Sequence, residues 1–243
     1  MNLLLLETDQ LSAGETVRLG GPQARHLLTV LAATPGDEVR IGLVNGPLGR
    51  GRVMATSDDV VDLRCTFDNT IPALPPVDLL LALPRPKVLR RLWSQLAALG
   101  VGQIILTNAA RVERNHFDTH VLTAGCYRPL LIEGLQQARD TRLPSVSIHR
   151  QFRVLVEDDL DRLVPQALRL VTHPGEPRTI AGALRDRSDE RVLLAVGPEG
   201  GWNDFELDLL RAHGFMTAGL GPRTLRTDTA CVALLALVHE MIR

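Results

Sequence analysis

The chain has 243 residues, 45% of them hydrophobic, and a formal net charge of −1. That length suits one large domain or two modest ones. No apolar run approaches the ~20 residues of a membrane helix, and the start MNLLLLETDQ, with four leucines and no basic residue before them, is no secretory signal.

Three cysteines, Cys65, Cys126 and Cys231, lie far apart without a CxxC pair. An odd, dispersed set argues against a disulfide framework or zinc site and points to a soluble cytoplasmic protein. Charge is uneven: residues 83–153 hold 11 Lys and Arg against 4 Asp and Glu, while the rest is net acidic. A basic middle is compatible with phosphate binding, because affinity for a polyanion follows a local patch. A solvated face would read the same way.

In chain order, Leu3–Leu6 and Thr16–Leu19 read as short strands. Pro22 opens a helix in which Leu27, Val30 and Leu31 have helical spacing. Val39–Val44 and Arg52–Ala55 flank a turn at Asn45-Gly46, and Val60–Phe67 follows Ser57-Asp58-Asp59. Short strands with turn signals at roughly ten-residue spacing predict a small β-barrel over 1–72. The stretch NTIPALPP (69–76), with three prolines, predicts a linker.

A second domain, 73–243, begins with VDLLLAL (77–83), an apolar run of the kind buried on both faces of a parallel sheet. A helix over 87–99, stopped by Gly100, and a strand over 102–108 complete a β-α-β unit. Residues 119–139 predict a long helix, Val154–Leu163 another, and Leu168–Val171 a strand. His116 and His120 are four apart, but HFDTH lacks the glutamate of a metalloprotease helix and no third ligand stands out, so no metal is expected.

Two further buried strands, Val192–Val196 and Phe215–Leu220, each run into a glycine loop and then a helix. Asn203 and Glu206 fit a capping box, with Phe205, Leu207 and Leu210 as the buried stripe and Gly214 as the stop. Thr227 or Asp228 is the expected cap of the last helix. Its apolar face, Ala230, Leu234, Leu237, Val238 and Met241, suits a core or a dimer contact.

Strand, glycine loop and helix in tandem is a ligand-site arrangement, because ligands sit beyond the carboxyl ends of strands. The loop Gly197-Pro198-Glu199-Gly200-Gly201 is not the GxGxxG dinucleotide fingerprint, and no acid ends the next strand. Without Gly-Lys-Ser/Thr it is no P-loop either. The loops suit a flat, neutral-to-cationic ligand held by backbone groups, and S-adenosylmethionine is such a ligand.

VGPEGGW (196–202) followed by LGPRTLRTDTA (220–230) closely resembles the 16S rRNA (uracil(1498)-N(3))-methyltransferase family, SPOUT-class dimeric enzymes. Further matches are Arg25-His26-Leu27, Gly36-Asp37, Lys87, Leu99-Gly100-Val101, Arg111, QQAR (136–139) before Pro144, and His173-Pro174. Two departures suggest a divergent branch. Asn2–Leu5 and Ala32 stand where the family has arginines, and Gln95 and Ala98 where it has Lys and Glu.

The resemblance implies an α/β fold: a C-terminal SPOUT α/β-knot, a deep trefoil knot, behind an N-terminal PUA-like β-barrel that binds RNA. It implies a homodimer acting on 16S rRNA or the small ribosomal subunit, methylating uracil N3 with S-adenosylmethionine. The implied cofactor residues are His173 and Pro174, then Gly197, Pro198, Glu199, Gly200 and Gly201. Leu220, Gly221, Arg223, Leu225, Arg226 and Thr229 complete that set. Arg226 is the candidate to neutralise a carbonyl oxygen, with Glu199 or Asp228 accepting the proton. Arg25, Lys87, Arg111, Gln137 and Arg139 are the candidate RNA contacts. Two other readings stay open: a knot methyltransferase for another RNA base, and a non-catalytic ribosome assembly factor.

Overall fold

Alternating polarity and turn residues in the first 67 residues give strands that bury one face. The computed structural model describes residues 3–12, 15–185 and 190–242. It forms β1 (Leu4–Leu6), β2 (Leu11–Ser12) and β3 (Thr16–Leu19), then helix α1 (Gly21–Thr29). Strands β4 (Glu38–Leu43), β5 (Leu48–Thr56) and β6 (Val61–Phe67) follow. They make a curled, half-barrel sheet in the order β1-β4-β5-β6-β3-β2, antiparallel except for β1 beside β4. Its core includes Leu4, Leu6, Leu19, Leu27, Ile41, Val53 and Leu63.

The expected helix over Leu27–Leu31 ends earlier. Val30 is 64% and Leu31 46% exposed beyond the last turn, so their helical spacing does not mark a buried stripe. Asn2, one of the positions that departs from the family, lies outside the described residues.

The chain divides into two compact units, Met1–Leu74 with Ile132–Leu143, and Pro75–Leu131 with Pro144–Arg243. The first cut lies two residues past the expected boundary at 72. The second unit's sequence range is interrupted, because residues 132–143 group with the first. There the Asn45 amide donates to Thr141 O at 2.7 Å and Thr141 Oγ1 to Gly46 O at 2.6 Å. The Leu143 amide donates to Asn45 Oδ1 at 3.0 Å, and Arg142 Nε to Pro72 O at 2.5 Å.

The second unit opens with β7 (Val77–Ala82), helix α2 (Pro86–Ala98) and β8 (Val101–Thr107). α2 buries Leu89, Leu92, Trp93, Leu96 and Ala97, one helical stripe. Gly100 at φ 77 takes the left-handed stop that a side chain would strain. Then come α3 (Ala124–Ala138), whose C-terminal end belongs to the first unit, and β9 (Ser145–His149). A broken helix follows: α4 (Phe152–Val154), a π turn Leu155–Asp159, and α5 (Leu160–Leu163). The chain ends with β10 (Leu168–Thr172), α6 (Ile180–Leu184), β11 (Val192–Val196), α7 (Asp204–Ala212), β12 (Met216–Ala218) and α8 (Thr227–Met241).

All six strands are parallel, in the order β12-β10-β11-β7-β8-β9. β7 and β11 are central, and every residue in both is buried. A strand covered on both faces loses the alternation of a half-exposed one. β11 fills the place between β7 and β10, so the sheet does not follow chain order. The consequence is that β10, β11 and β12 deliver their carboxyl ends, and the loops after them, side by side.

Candidate active site

Those three loops and the start of α8 enclose one cleft with about 810 Å³ of empty space, counting its open mouth. The loop after β10 contributes Thr172, His173 and Pro174; that after β11 contributes Gly197 through Gly201. The third contributes Gly219, Leu220, Gly221, Arg223, Thr224 and Leu225, and α8 adds Thr227, Ala230 and Leu234. Its mixture of glycine backbone and apolar walls suits a ligand held by main-chain groups.

Glycine is required here for space. A Cβ on Gly219 would lie 2.9 Å from Glu176 O and 3.0 Å from His173 O, both backbone atoms. A Cβ on Gly197 would meet the Trp202 indole at 3.0 Å. Gly221 has φ 98, a conformation closed to most side chains. The capping box forms as expected: Asn203 Oδ1 accepts from the Glu206 amide at 2.8 Å and Glu206 Oε2 from the Asn203 amide at 2.9 Å. This fixes the start of α7 directly behind the Gly197–Gly201 loop. The last helix differs from expectation. Its N-cap is Arg226, whose side chain makes no cap bond; Thr227 and Asp228 are already inside the first turn.

Of the residues read from sequence as cofactor contacts, His173, Pro174, Gly197, Pro198, Glu199, Gly200, Gly201, Leu220, Gly221, Arg223 and Leu225 line the cleft. Arg226 and Thr229 are not among the lining residues; both are exposed at the start of α8. The two candidate proton acceptors differ. Glu199 lines the cleft and pairs with Arg85 at 3.1 Å, both partly exposed. Asp228 is outside the lining, bound to Arg91 Nη2 at 2.9 Å and to the Thr229 amide at 3.0 Å. Arg85 and Arg91 carry no sequence signal of this role, because their partners are remote in the chain.

The candidate RNA contacts fall in both units. Arg25 is exposed on α1; Gln137 and Arg139, at the end of α3, are exposed in the first unit. Arg139 has φ 62, a left-handed position closing that helix. In the second unit Lys87 is exposed on the first turn of α2. Arg111 Nη1 donates to Gly200 O, which puts this arginine on the glycine loop itself.

One feature of the cleft in particular suits S-adenosylmethionine. His173 Nδ1 is buried, with no hydrogen-bond partner among the described residues, in a residue that lines the cleft. A buried polar atom of that kind normally has a partner, and a ligand heteroatom would supply it. Among the described residues, no group of three or more His, Cys, Asp or Glu could hold a metal ion. None of their helices is long and apolar enough to cross a membrane.

An RNA methyltransferase domain matches residues 72–239. Fold and site together therefore define an RNA methyltransferase, with a curled sheet ahead of a parallel-sheet α/β domain in the chain. The ribosomal RNA small subunit methyltransferase E of Treponema pallidum is 31% identical over 98% of this chain and 90% of its own. The chain belongs to the ribosomal RNA small subunit methyltransferase E family. In fold it is similar to the Neisseria gonorrhoeae enzyme of that name, solved with S-adenosyl methionine (TM-score 0.79, 22% identity, 99% of this chain and 98% of that one). A Legionella pneumophila methyltransferase solved with the same cofactor gives TM-score 0.76 at 21% identity, covering 98% and 97% of the two chains.

Proposed function

We propose that this protein methylates N3 of a uracil in the 16S ribosomal RNA of the small subunit, using S-adenosylmethionine. The observation that carries the reading is the convergence of three loops on one cleft, with the unpartnered His173 Nδ1 at its wall. When bound, S-adenosylmethionine supplies an electrophilic sulfonium methyl. His173, the Gly197–Gly201 backbone and the Leu220–Leu225 loop are the groups that would hold it.

Uracil N3–H is a weak acid, so transfer requires loss of that proton and stabilisation of the charge that develops. Glu199 is the better acceptor, because it lines the cleft and pairs with a partly exposed arginine. Such a pair contributes little and exchanges readily. Asp228, held by Arg91 and its own helix, serves to fix the start of α8. Arg226 is exposed between the lining residues Leu225 and Thr227, and it would neutralise a uracil carbonyl oxygen.

RNA is read by Arg25, Gln137 and Arg139 in the first unit and by Lys87 in the second, with the first unit acting as the RNA-binding PUA-like domain. The enzyme works as a homodimer in the cytoplasm. α8 carries exposed apolar side chains, Val232 at 38% and Leu237 at 43%, that suit a second copy.

Nucleoside mass spectrometry of 16S rRNA from a deletion strain tests this reading. Loss of 3-methyluridine, restored by the wild-type gene, is expected; its persistence where no second enzyme of this kind exists would refute the target. Loss of a different methylated base would move the assignment to that base.

A further inference from the structure

We propose that Glu206 and Arg111 act together as positioning residues for the Gly197–Gly201 loop, a role that rests on the cofactor reading above. A capping box needs one carboxylate oxygen of Glu206, the one that takes the Asn203 amide. The other oxygen, Oε1, accepts the Ala110 amide at 2.6 Å, from the turn that follows β8. Glu206 is only 3% exposed, so this carboxylate is buried between two backbone donors. Charge-assisted bonds of that kind are the strong ones.

The residue after Ala110 is Arg111, and its side chain lies along Gly200. A Cβ on Gly200 would come within 2.9 Å of Arg111 Cδ, so only glycine lets the arginine stem lie flat there. Arg111 Nη1 donates to Gly200 O, while the next amide, that of Gly201, donates to Pro198 O at 2.8 Å. The Gly200–Gly201 peptide is thus held at both its oxygen and its nitrogen and cannot turn over. The chain of contacts runs from Glu206 through the Ala110 amide to Arg111, and from Arg111 to the loop that lines the cleft.

This assigns Arg111 differently from a phosphate contact. An arginine that met only RNA would leave cofactor affinity untouched when removed. Removing a glutamate that only capped α7 would lower thermal stability without acting through Arg111.

The experiment is titration calorimetry of S-adenosylhomocysteine against the full-length protein and the variants Arg111→Ala, Glu206→Gln, their double and Arg111→Lys. Each single substitution to Ala or Gln is expected to raise Kd about 10-fold, the size of one charge-assisted bond. The double should be no worse than the weaker single, since both remove one device, rather than about 100-fold. Arg111→Lys keeps one donor and should recover most of the loss.

Multiplicative losses, or an Arg111→Ala Kd within about twofold of wild type, would overturn the proposal. If Glu206→Gln does not fold, the two Arg111 variants still decide: loss with alanine and recovery with lysine supports it, and any other pattern sinks it. Wild-type protein that fails to bind S-adenosylhomocysteine would remove the cofactor reading and this inference together. Intact wild-type binding with an indifferent Arg111→Ala removes this inference alone.

Discussion

Arg191 grips Asp78 with two parallel bonds, Nε to Oδ2 at 2.6 Å and Nη2 to Oδ1 at 2.7 Å. Asp78 has no exposed surface, whereas the Arg191 side chain keeps 36% of its own. Asp78 sits in β7 among residues that are otherwise all apolar, and the pair ties the start of β7 to the residue before β11. The asymmetry of exposure predicts asymmetric variants. Arg191→Met leaves a buried carboxylate without its partner and should cost about 3 kcal/mol or more. Asp78→Asn leaves an arginine that can turn to water and should cost about half as much. Urea midpoints of the two variants check this; equal losses would refute it.

Gly219→Ala should damage the cleft more than any other single methyl there. The new Cβ would meet two backbone carbonyl oxygens, of Glu176 and His173, and neither can move aside like a side-chain tip. A loss of at least about 10-fold in S-adenosylmethionine affinity is expected, equivalent to one lost good contact. Calorimetry reads it directly, and an unchanged Kd would show that the loop relaxes freely.

Glu199→Gln and Asp228→Asn separate the two acids. If Glu199 takes the proton, its amide variant should lose about 100-fold in kcat, the usual contribution of a general base. Asp228→Asn should act mainly on stability, because it weakens the bond to Arg91. Single-turnover methylation of small-subunit RNA, with thermal melts alongside, distinguishes them. The reverse order of kcat losses would reassign the base.

Stability should fall as pH drops from about 7.5 to 5.5. His149 is held below its ordinary value of 6.5, first by burial; the Arg162 charge adds to this and Asp159 opposes it. Burial also lowers His26. Each is therefore less protonated folded than unfolded in the window just below 6.5. Unfolding takes up protons there, and the stability present above that window is lost as pH falls through the folded value. His149→Gln should flatten the dependence of the urea midpoint on pH. A slope equal to wild type would exclude His149 as a contributor.

Burial pushes the Cys65 thiol up to about 11 and Cys231 up to about 12. Thiolate is the reactive form. Iodoacetamide at about pH 8 should therefore modify half-buried Cys126 in the native protein and all three cysteines only after denaturation. Peptide mass spectrometry reads this, and early labelling of Cys231 would contradict the packing of α8.

The parts of the fold legible in sequence were those where local pattern and final environment agree. Val77–Ala82 and Val192–Val196 are apolar throughout because both faces are covered. The Asn203–Glu206 box announced α7. β9, Ser145–His149, leaves no mark in the hydrophobic pattern, because an edge strand only partly buried needs no apolar run. The π turn at Leu155–Asp159 is invisible in a helical periodicity that continues on both sides of it.

At the site the glycine loops were readable, since close backbone approach demands glycine at fixed positions. Arg85 with Glu199, Arg91 with Asp228, and Arg111 with Gly200 were not. Arg91 and Asp228 are 137 positions apart and Arg111 and Gly200 are 89, and no local rule reaches that far. Arg111 is marked in the sequence by its match to the family pattern and is expected there to contact RNA; its bond to Gly200 O has no sequence signal, because a charge does not show what it faces.

The place of β11 between β7 and β10 bears on time as well as shape. Asp78 and Arg191, which meet at that seam, are 113 positions apart, and contacts so distant form slowly because a long loop must close first. Until β11 enters, β10 with β12 has no partner strand to join it to β7, and the three cleft loops have no common frame. Refolding should then proceed with most helical signal recovered before the protein gains any grip on its cofactor, and added cofactor should slow unfolding far more than it speeds folding.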